Sequence, residues 1–212
     1  MPGKRSRASG PRAGAAGGAE QADSAFAGDH KDGADGSEDP ETRARQVCLR
    51  LLTLAPRTRA QLAQALRKRG IPDEAADQVL SRFEDVGLID DGAFARAWVE
   101  SRHYSRGLSG RALSAELKQR GVAAEEIRAA IDEQISPEAE VSAARRLVDR
   151  KLGSTRSLPP EQRTRRLAGM LARKGYPAGL AFRVIRETLE AEGDLGFPED
   201  DPPFDEEDLD TE

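Results

Sequence analysis

The stretch Leu62-AQA-Leu66-RKR-Gly70-Ile71 places two leucines one helical turn apart, followed by basic residues, a glycine and an apolar residue. The same pattern returns twice, as Leu113-SAE-Leu117-KQR-Gly121-Val122 and as Leu167-AGM-Leu171-ARK-Gly175-Tyr176. Leucines at this spacing share one face of a helix, and glycine fits the left-handed position just past a helix end. Basic residues in the last turn suit the negative end of the helix dipole. Each stretch therefore predicts an amphipathic helix that ends at its glycine.

A second amphipathic helix is predicted after each glycine. Apolar residues recur six, nine and ten residues beyond it, which is the spacing of one buried helical stripe. These residues are Ala76, Val79 and Leu80; Ile127, Ala130 and Ile131; and Ala181, Val184 and Ile185.

A third helix is predicted upstream of each leucine pair. Asp39-Pro40 and Ser136-Pro137 are typical of an N-cap followed by proline at the first helical position, and Asp90-Asp91 is their counterpart in between. Thr58 with Gln61 predicts a capping box before the first middle helix. From cap to glycine the first two units span 31 residues and the third spans 39. We expect the eight extra residues within 153–163, ahead of the third middle helix.

These signals predict an all-α fold of three tandem three-helix repeats in an elongated, curved array. The glycines are 51 and 54 residues apart, far from the period of about 34 in tetratricopeptide or ankyrin repeats. No segment of any length alternates with period two, as a half-buried strand would. The predicted repeats occupy residues 41–89, 90–135 and 136–190.

Two tails flank this body. Residues 1–40 are dominated by Gly, Ala, Ser and Asp, and residues 191–212 hold eleven acidic residues and no basic one. Neither can bury enough apolar surface to offset its ordering entropy, so both are predicted to be disordered.

Charge also divides the sequence into three parts. Residues 1–40 carry a net charge of −2, residues 41–190 carry +8, and residues 191–212 carry −11. A basic body is expected to meet anionic partners such as nucleic acid or an acidic protein surface. The acidic C-terminal tail either competes with such a polyanion or acts only as a solubiliser.

Several classes of protein are excluded on composition. No run approaches the ~20 apolar residues of a transmembrane helix, so no membrane association is expected. The basic start has no apolar stretch after it, so we expect no secretory signal. A single cysteine cannot form an internal disulfide, and a cytoplasmic location is expected.

Candidates for catalysis are few. His30 lies in the N-terminal tail, and His103 is a lone histidine near a predicted helix end, which favours a packing or surface role over a general base. Cys48 lies on the apolar side of the first helix, which favours a buried thiol over a nucleophile. Asp90 and Asp91 begin a helix, which favours capping over metal binding. With no phosphate-binding loop or zinc-protease motif either, we expect no catalytic residue, metal or cofactor.

Basic residues of the body are the candidates for partner binding. Arginine presents a planar fork of donors that suits phosphate and carboxylate groups. Arg111 and Lys118 are seven residues apart, on a helix face turned away from Leu113 and Leu117. Arginine outnumbers lysine 27 to 6, so biased nucleotide composition is the alternative explanation for these clusters. The candidates are Arg96, Arg102, Arg106, Arg111, Lys118 and Arg120 in the middle repeat, with Arg67, Lys68, Arg69, Arg173 and Lys174 in the others.

Aromatic residues are too few for an extended single-strand stacking platform. Trp98 and Phe94 fall on the apolar stripe of their helix and are predicted to be core residues. Tyr104 and Tyr176 are predicted to be half-exposed, and only Tyr104 lies near the basic turn 105–110.

The middle repeat resembles a known family. The residues that carry the resemblance are Gly87-Leu88-Ile89-Asp90-Asp91, Phe94-Ala95, Trp98, Ser101-Arg102, Gly107, Gly110 and Glu116-Leu117-x-x-Arg120-Gly121-Val122. This pattern is similar to that of the RecX family of recombination regulators, and the resemblance extends over nearly all of residues 41–190. It implies an all-α fold of three tandem three-helix motifs. It also implies a cytoplasmic protein that binds the RecA recombinase filament and modulates, usually inhibits, its ATPase and strand-exchange activities in recombination and DNA repair.

Two functional hypotheses remain open. The first is a filament-binding regulator without catalysis, which follows from the triple repeat and the resemblance. The second is a helical DNA-binding protein that acts on single- or double-stranded DNA through its basic body. In both cases we favour a monomer.

Overall fold

The computed structural model describes residues 39–193, and within them the chain forms nine α-helices and no strand. The helices are α1 (Pro40–Leu54), α2 (Arg59–Arg67), α3 (Asp73–Asp85), α4 (Asp91–Arg106), α5 (Gly110–Gln119), α6 (Ala124–Gln134), α7 (Pro137–Thr155), α8 (Pro160–Arg173) and α9 (Ala178–Ala191). The predicted all-α fold of three successive three-helix repeats is confirmed, with α1–α3, α4–α6 and α7–α9 as the repeats.

Each repeat buries its own hydrophobic core. The leucine pairs of the middle helices α2, α5 and α8 are at most 1% exposed and lie at the centres of the three cores. The predicted stripes of α3, α6 and α9 pack against them, with Ile131 half-buried and the other eight residues buried. Helical periodicity in the sequence therefore identifies the core.

The middle helices end in the way their glycines predict. Gly121 and Gly175 adopt φ of 79° and 83°, which only glycine adopts without strain. The next residue then turns back over the helix: the Val122 N–H donates to the Leu117 carbonyl at 3.2 Å, and the Tyr176 N–H to the Leu171 carbonyl at 3.1 Å. Ile71 makes the same bond in the first repeat, at 3.2 Å to the carbonyl of Leu66.

Most of the predicted helix starts are also present. The side chains of Asp39, Asp90 and Ser136 each accept a hydrogen bond from a backbone N–H in the first turn of α1, α4 and α7. Thr58 and Gln61 form the reciprocal capping box at α2. These short-range signals succeed because both partners of each bond lie within three residues of one another.

The extra residues of the third repeat lengthen two helices. Helix α7 has 19 residues, whereas α1 has 15. Helix α8 begins seven residues before Leu167, whereas α2 begins three residues before Leu62. The additional turn of α8 contains Arg163, which is 4% exposed and forms an ion pair with Glu192 just past the end of α9.

The predicted tails lie outside the described residues except at their inner edges. Pro40 is the first residue of α1, and α9 continues to Ala191 with Glu192 as its C-cap. Glu192 contacts Arg156 at 2.9 Å as well as Arg163, so it belongs to the third repeat. Sequence analysis assigned Glu192 to the acidic tail. Its two arginine partners are 29 and 36 residues away, so local sequence patterns do not show these contacts.

Neighbouring repeats join through the ends of their middle helices. The Thr58 hydroxyl at the start of α2 donates to the Arg120 carbonyl at the end of α5, at 2.6 Å. The Ser109 N–H at the start of α5 donates to the Lys174 carbonyl at the end of α8, at 3.0 Å. The C-terminal end of one middle helix thus meets the N-terminal end of the preceding one, which is the favourable arrangement of two helix dipoles.

A carboxylate from the following repeat completes each of these junctions. The Arg59 N–H, at the first position of α2, donates to Asp91 at 2.9 Å. The Gly110 N–H, at the first position of α5, donates to Glu140 at 2.9 Å. The two junctions therefore use equivalent contacts, just as the repeats use equivalent sequence patterns.

Candidate partner-binding surface

The basic candidates differ widely in exposure. Arg102 is 6% exposed, and Arg96, Arg106, Arg120 and Lys174 are half-buried. The fully exposed candidates are Arg67, Lys68, Arg69, Arg111, Lys118 and Arg173. A large partner can reach this exposed set directly.

Arg111 and Lys118 form one exposed face of helix α5. Both are exposed, whereas Leu113 and Leu117 on the same helix are 0% exposed. Seven residues correspond to about 10 Å along a helix, so the two cations lie two turns apart on one side. Neither makes an ion pair within residues 39–193, and both are available to an anionic partner.

Basic residues at the ends of α2 and α5 also have a structural role. The guanidinium of Arg69 donates to the Ala65 carbonyl at 3.0 Å, and that of Arg120 donates to the Glu116 carbonyl at 3.3 Å. Such bonds satisfy carbonyls that helix ends leave without partners. Part of the repeated basic pattern is therefore explained by the helix ends themselves.

Trp98 organises a cationic cluster at the edge of the second core. The guanidinium carbons of Arg102 and Arg120 lie 4.2 and 3.9 Å from the Trp98 ring centroid, and the indole N–H donates to Glu116 at 2.7 Å. Phe94 stacks on the same ring at 5.7 Å. Trp98 and Phe94 are both half-buried at the edge of the core, which corrects the prediction of core positions. Both guanidiniums are held by the ring, and Arg120 is partly open to a partner.

The burial of Tyr176 differs most from the sequence prediction, which was a half-exposed side chain. It is 4% exposed, and its hydroxyl donates to the Gly107 carbonyl at 3.1 Å. Burial, together with the nearby Glu140 carboxylate, raises the pKa of Tyr176 to about 12. The residue belongs to the junction between the second and third repeats, because its partner lies 69 residues earlier in the chain. Tyr104, in contrast, is 73% exposed.

Cys48 and His103, which were considered for catalysis, are both buried in the structure. Cys48 is 0% exposed, and burial raises the pKa of its thiol to about 11, so it is a thiol at neutral pH. His103 is 3% exposed, and its Nδ1 donates to the Leu108 carbonyl at 2.9 Å. The buried turn at 107–109 that follows is fixed by this bond and by the Ser109 contact to α8.

Four carboxylates surround the junction of the first and second repeats. Glu84, Asp90, Asp91 and Glu126 line one cavity of about 550 Å³, with Arg59 as the cation among them. Burial first, and then the neighbouring Asp91, raises the pKa of Glu126. Burial also raises the pKa of Asp91, partly offset by the Arg59 backbone N–H. Within residues 39–193 no group of His, Cys, Asp and Glu has the geometry of a metal site.

Two exposed arginines of the third repeat were not among the sequence candidates. Arg146 and Arg150 lie one turn apart on helix α7 and face the end of α4. Their spacing of four residues indicates that they share one face of α7. The spacing does not show which face of α7 is covered. In the described part of the chain, no helix is long and apolar enough to cross a membrane.

The fold defines a tandem helical-repeat protein that carries exposed basic faces. Family models describe all three units: the first three-helix domain of RecX matches residues 44–83, the second matches 90–131, and the third matches 138–185. The chain belongs to the RecX family.

Relatives and solved structures agree with this assignment. The chain is 58% identical to the regulatory protein RecX of Thermobifida fusca over 81% of this chain and 95% of the relative. It is 62% identical to that of Streptomyces coelicolor over 74% of this chain and 82% of the relative. The crystal structure of RecX from Lactobacillus salivarius has a TM-score of 0.65 at 17% identity, over 70% of this chain and 96% of that one, and shares the fold.

Proposed function

We propose that this protein is a regulator that binds the RecA recombinase filament and modulates its ATPase and strand-exchange activity, in the direction of inhibition. Membership of a family of regulatory proteins carries the proposal. RecA is the partner that the family resemblance implies. The protein acts in the cytoplasm and has no catalytic activity of its own.

The exposed face of α5 supports a role in partner binding. Arg111 and Lys118 point away from the core of the second repeat and lack ion-pair partners within residues 39–193. A RecA filament assembled on DNA carries phosphates, and these attract such cations. We assign these two residues to the filament contact.

The test is the ATPase rate of RecA on single-stranded DNA, titrated with the full chain. We expect the rate to fall at substoichiometric ratios, because a regulator bound along a filament affects more than one subunit. The double variant Arg111→Glu/Lys118→Glu should shift the titration to higher concentration, while Arg183→Glu/Arg186→Glu on exposed positions of α9 controls for charge. An unchanged ATPase rate with the wild-type chain would contradict the proposal.

A second candidate function is direct DNA binding without RecA. The net charge of +8 on residues 41–190 favours it. Affinity for naked DNA would then fall steeply with salt, since each neutralised phosphate releases counterions. Tight DNA binding of this kind, without any effect on RecA, would favour this candidate over the first.

A further inference from the structure

A cleft between the end of α4 and the middle of α7 has the features of a ligand site. This α4–α7 cleft has a volume of about 300 Å³ and is lined by His103, Tyr104, Arg146, Asp149 and Arg150, among others. Its volume is at the lower end of the range for small-ligand pockets. It lies at the junction of the second and third repeats, and its lining residues do not include any from α5.

His103 provides a polar atom without a partner beside this cleft. Its Nδ1 must carry the hydrogen, because the Leu108 carbonyl that it contacts can only accept. The other ring nitrogen, Nε2, is buried and has no hydrogen-bond partner within residues 39–193. Because Nε2 is enclosed, His103 contributes to the cleft through the edge-on contact of its ring with Tyr104.

The charged groups of the cleft favour an anion. Arg146 and Arg150 are exposed, lie one turn apart on α7 and make no ion pair within the described residues. Asp149 is the one acidic residue of the lining, so the two arginines leave a net positive charge. Two guanidiniums at this spacing can hold a phosphate between them.

The exposed ring of Tyr104 indicates which kind of anion the cleft binds. Its ring is 73% exposed at the mouth of the cleft, and its position is set by an edge-on contact with His103, with centroids 5.9 Å apart. An exposed ring beside paired arginines suits a nucleotide, whose base can stack on the ring while its phosphate meets the cations. The bases of a duplex are already paired and stacked. An acidic peptide would use the arginines but would leave the Tyr104 ring without a role.

We propose that the α4–α7 cleft binds one nucleotide of single-stranded DNA, with its base on Tyr104 and its phosphate between Arg146 and Arg150. The inference rests on the proposed function, because a RecA filament carries the single strand that would reach this cleft. Asp149 weakens the site, and Asp149→Asn therefore strengthens binding.

The test is fluorescence anisotropy of a short labelled oligo(dT) with the full chain. Tyr104→Ala should lose at least about fivefold in affinity, the low end of what one stacked base contributes, while Tyr104→Phe keeps the ring and the affinity. Arg146→Ala/Arg150→Ala should weaken binding and reduce the salt slope by about 0.7 for each phosphate that the variant no longer neutralises. Arg183→Ala/Arg186→Ala on exposed positions of α9 removes the same charge as a control.

Each outcome separates this inference from the proposed function. If the cleft variants match the α9 control on oligo(dT), the cleft does not bind single-stranded DNA. If they match it on oligo(dT) but fail to co-sediment with RecA filaments, the cleft contacts protein instead, and the regulator proposal stands alone. If they bind duplex and oligo(dT) with equally reduced affinity, the assignment of a single strand is wrong. If they bind oligo(dT) more weakly while the wild-type chain leaves RecA unaffected, the cleft is supported and the regulator proposal is contradicted.

Discussion

The hydroxyl of Thr58 donates a hydrogen bond to the backbone carbonyl of Arg120 across 2.6 Å, and this bond joins the first repeat to the second. Thr58 is 0% exposed, and its oxygen also accepts the Gln61 N–H at 3.2 Å. One buried side chain thus begins a helix and holds the end of the next middle helix. One hydroxyl group therefore contributes to both the start of α2 and the junction, where the bond from the Arg59 N–H to Asp91 is a second contact.

Removing that hydroxyl should weaken the junction. Thr58→Val keeps the shape of the side chain but leaves the Arg120 carbonyl and the Gln61 N–H without this partner. We expect a loss of about 1–3 kcal/mol in the free energy of unfolding, measured by urea denaturation. Thr58→Ser retains the hydroxyl and should lose much less. Equal stability of the valine and serine variants would contradict this account.

The glycines that end the middle helices should differ in their tolerance of a methyl group. A Cβ on Gly175 would lie 2.6 Å from the Ser109 oxygen and 2.9 Å from the Ala112 nitrogen, whereas one on Gly70 would meet nothing within 4 Å. Both have positive φ, so both alanine variants carry the same backbone strain of about 1–2 kcal/mol. Gly175→Ala should lose a further ~1–3 kcal/mol from overpacking, read from urea denaturation. Equal losses would show that the repeats do not abut as described.

Glu126 should make the first junction less stable as pH rises. Its pKa is raised in the folded protein, so the folded state binds more protons and loses stability as pH increases through the range above about 4. Glu126→Gln should be more stable than Glu125→Gln at pH 7, and this advantage should vanish at acidic pH. Thermal unfolding across pH measures both, with exposed Glu125 as the control on the same helical turn. An advantage that persists unchanged at low pH would rule out ionisation of Glu126 as its cause.

Glu192 should have the opposite pH dependence. Hydrogen bonds from Arg163, and then Arg156, lower the pKa of its carboxyl group. Its contribution to stability is present at neutral pH and is lost as pH falls below about 4, through the folded-state pKa. Glu192→Gln should therefore destabilise the chain at pH 7 more than the exposed Glu190→Gln does, with the difference closing at low pH in thermal unfolding. No difference at pH 7 would place Glu192 outside the third repeat.

The fold could be predicted because its signals are local. A leucine pair, a glycine and a cap each act within a few residues, and the helix that they specify needs no distant partner. The third repeat follows the same signals despite its longer α7 and α8.

The surroundings of individual side chains could not be predicted in this way. Tyr176 is buried by Gly107 of the preceding repeat, and Trp98 is covered by Arg120 of the next helix. Glu192 is drawn into the third repeat by Arg163. In each case the deciding contact comes from far along the chain, and local periodicity does not contain it.

Contacts from far along the chain also limit prediction of the partner-binding surface. Arg102 and Arg111 are equally basic in the sequence, yet packing buries the first and exposes the second. The arginines of the α4–α7 cleft become neighbours of Tyr104 only when the second and third repeats join.

Binding of the full chain to RecA filaments, measured by co-sedimentation on single-stranded DNA, tests the central claim most directly. We expect the chain to pellet with filaments in a saturable manner and to remain in the supernatant when RecA is left out at the same salt concentration. A chain that stays in the supernatant at every ratio of the two proteins would contradict its assignment as a filament-binding regulator.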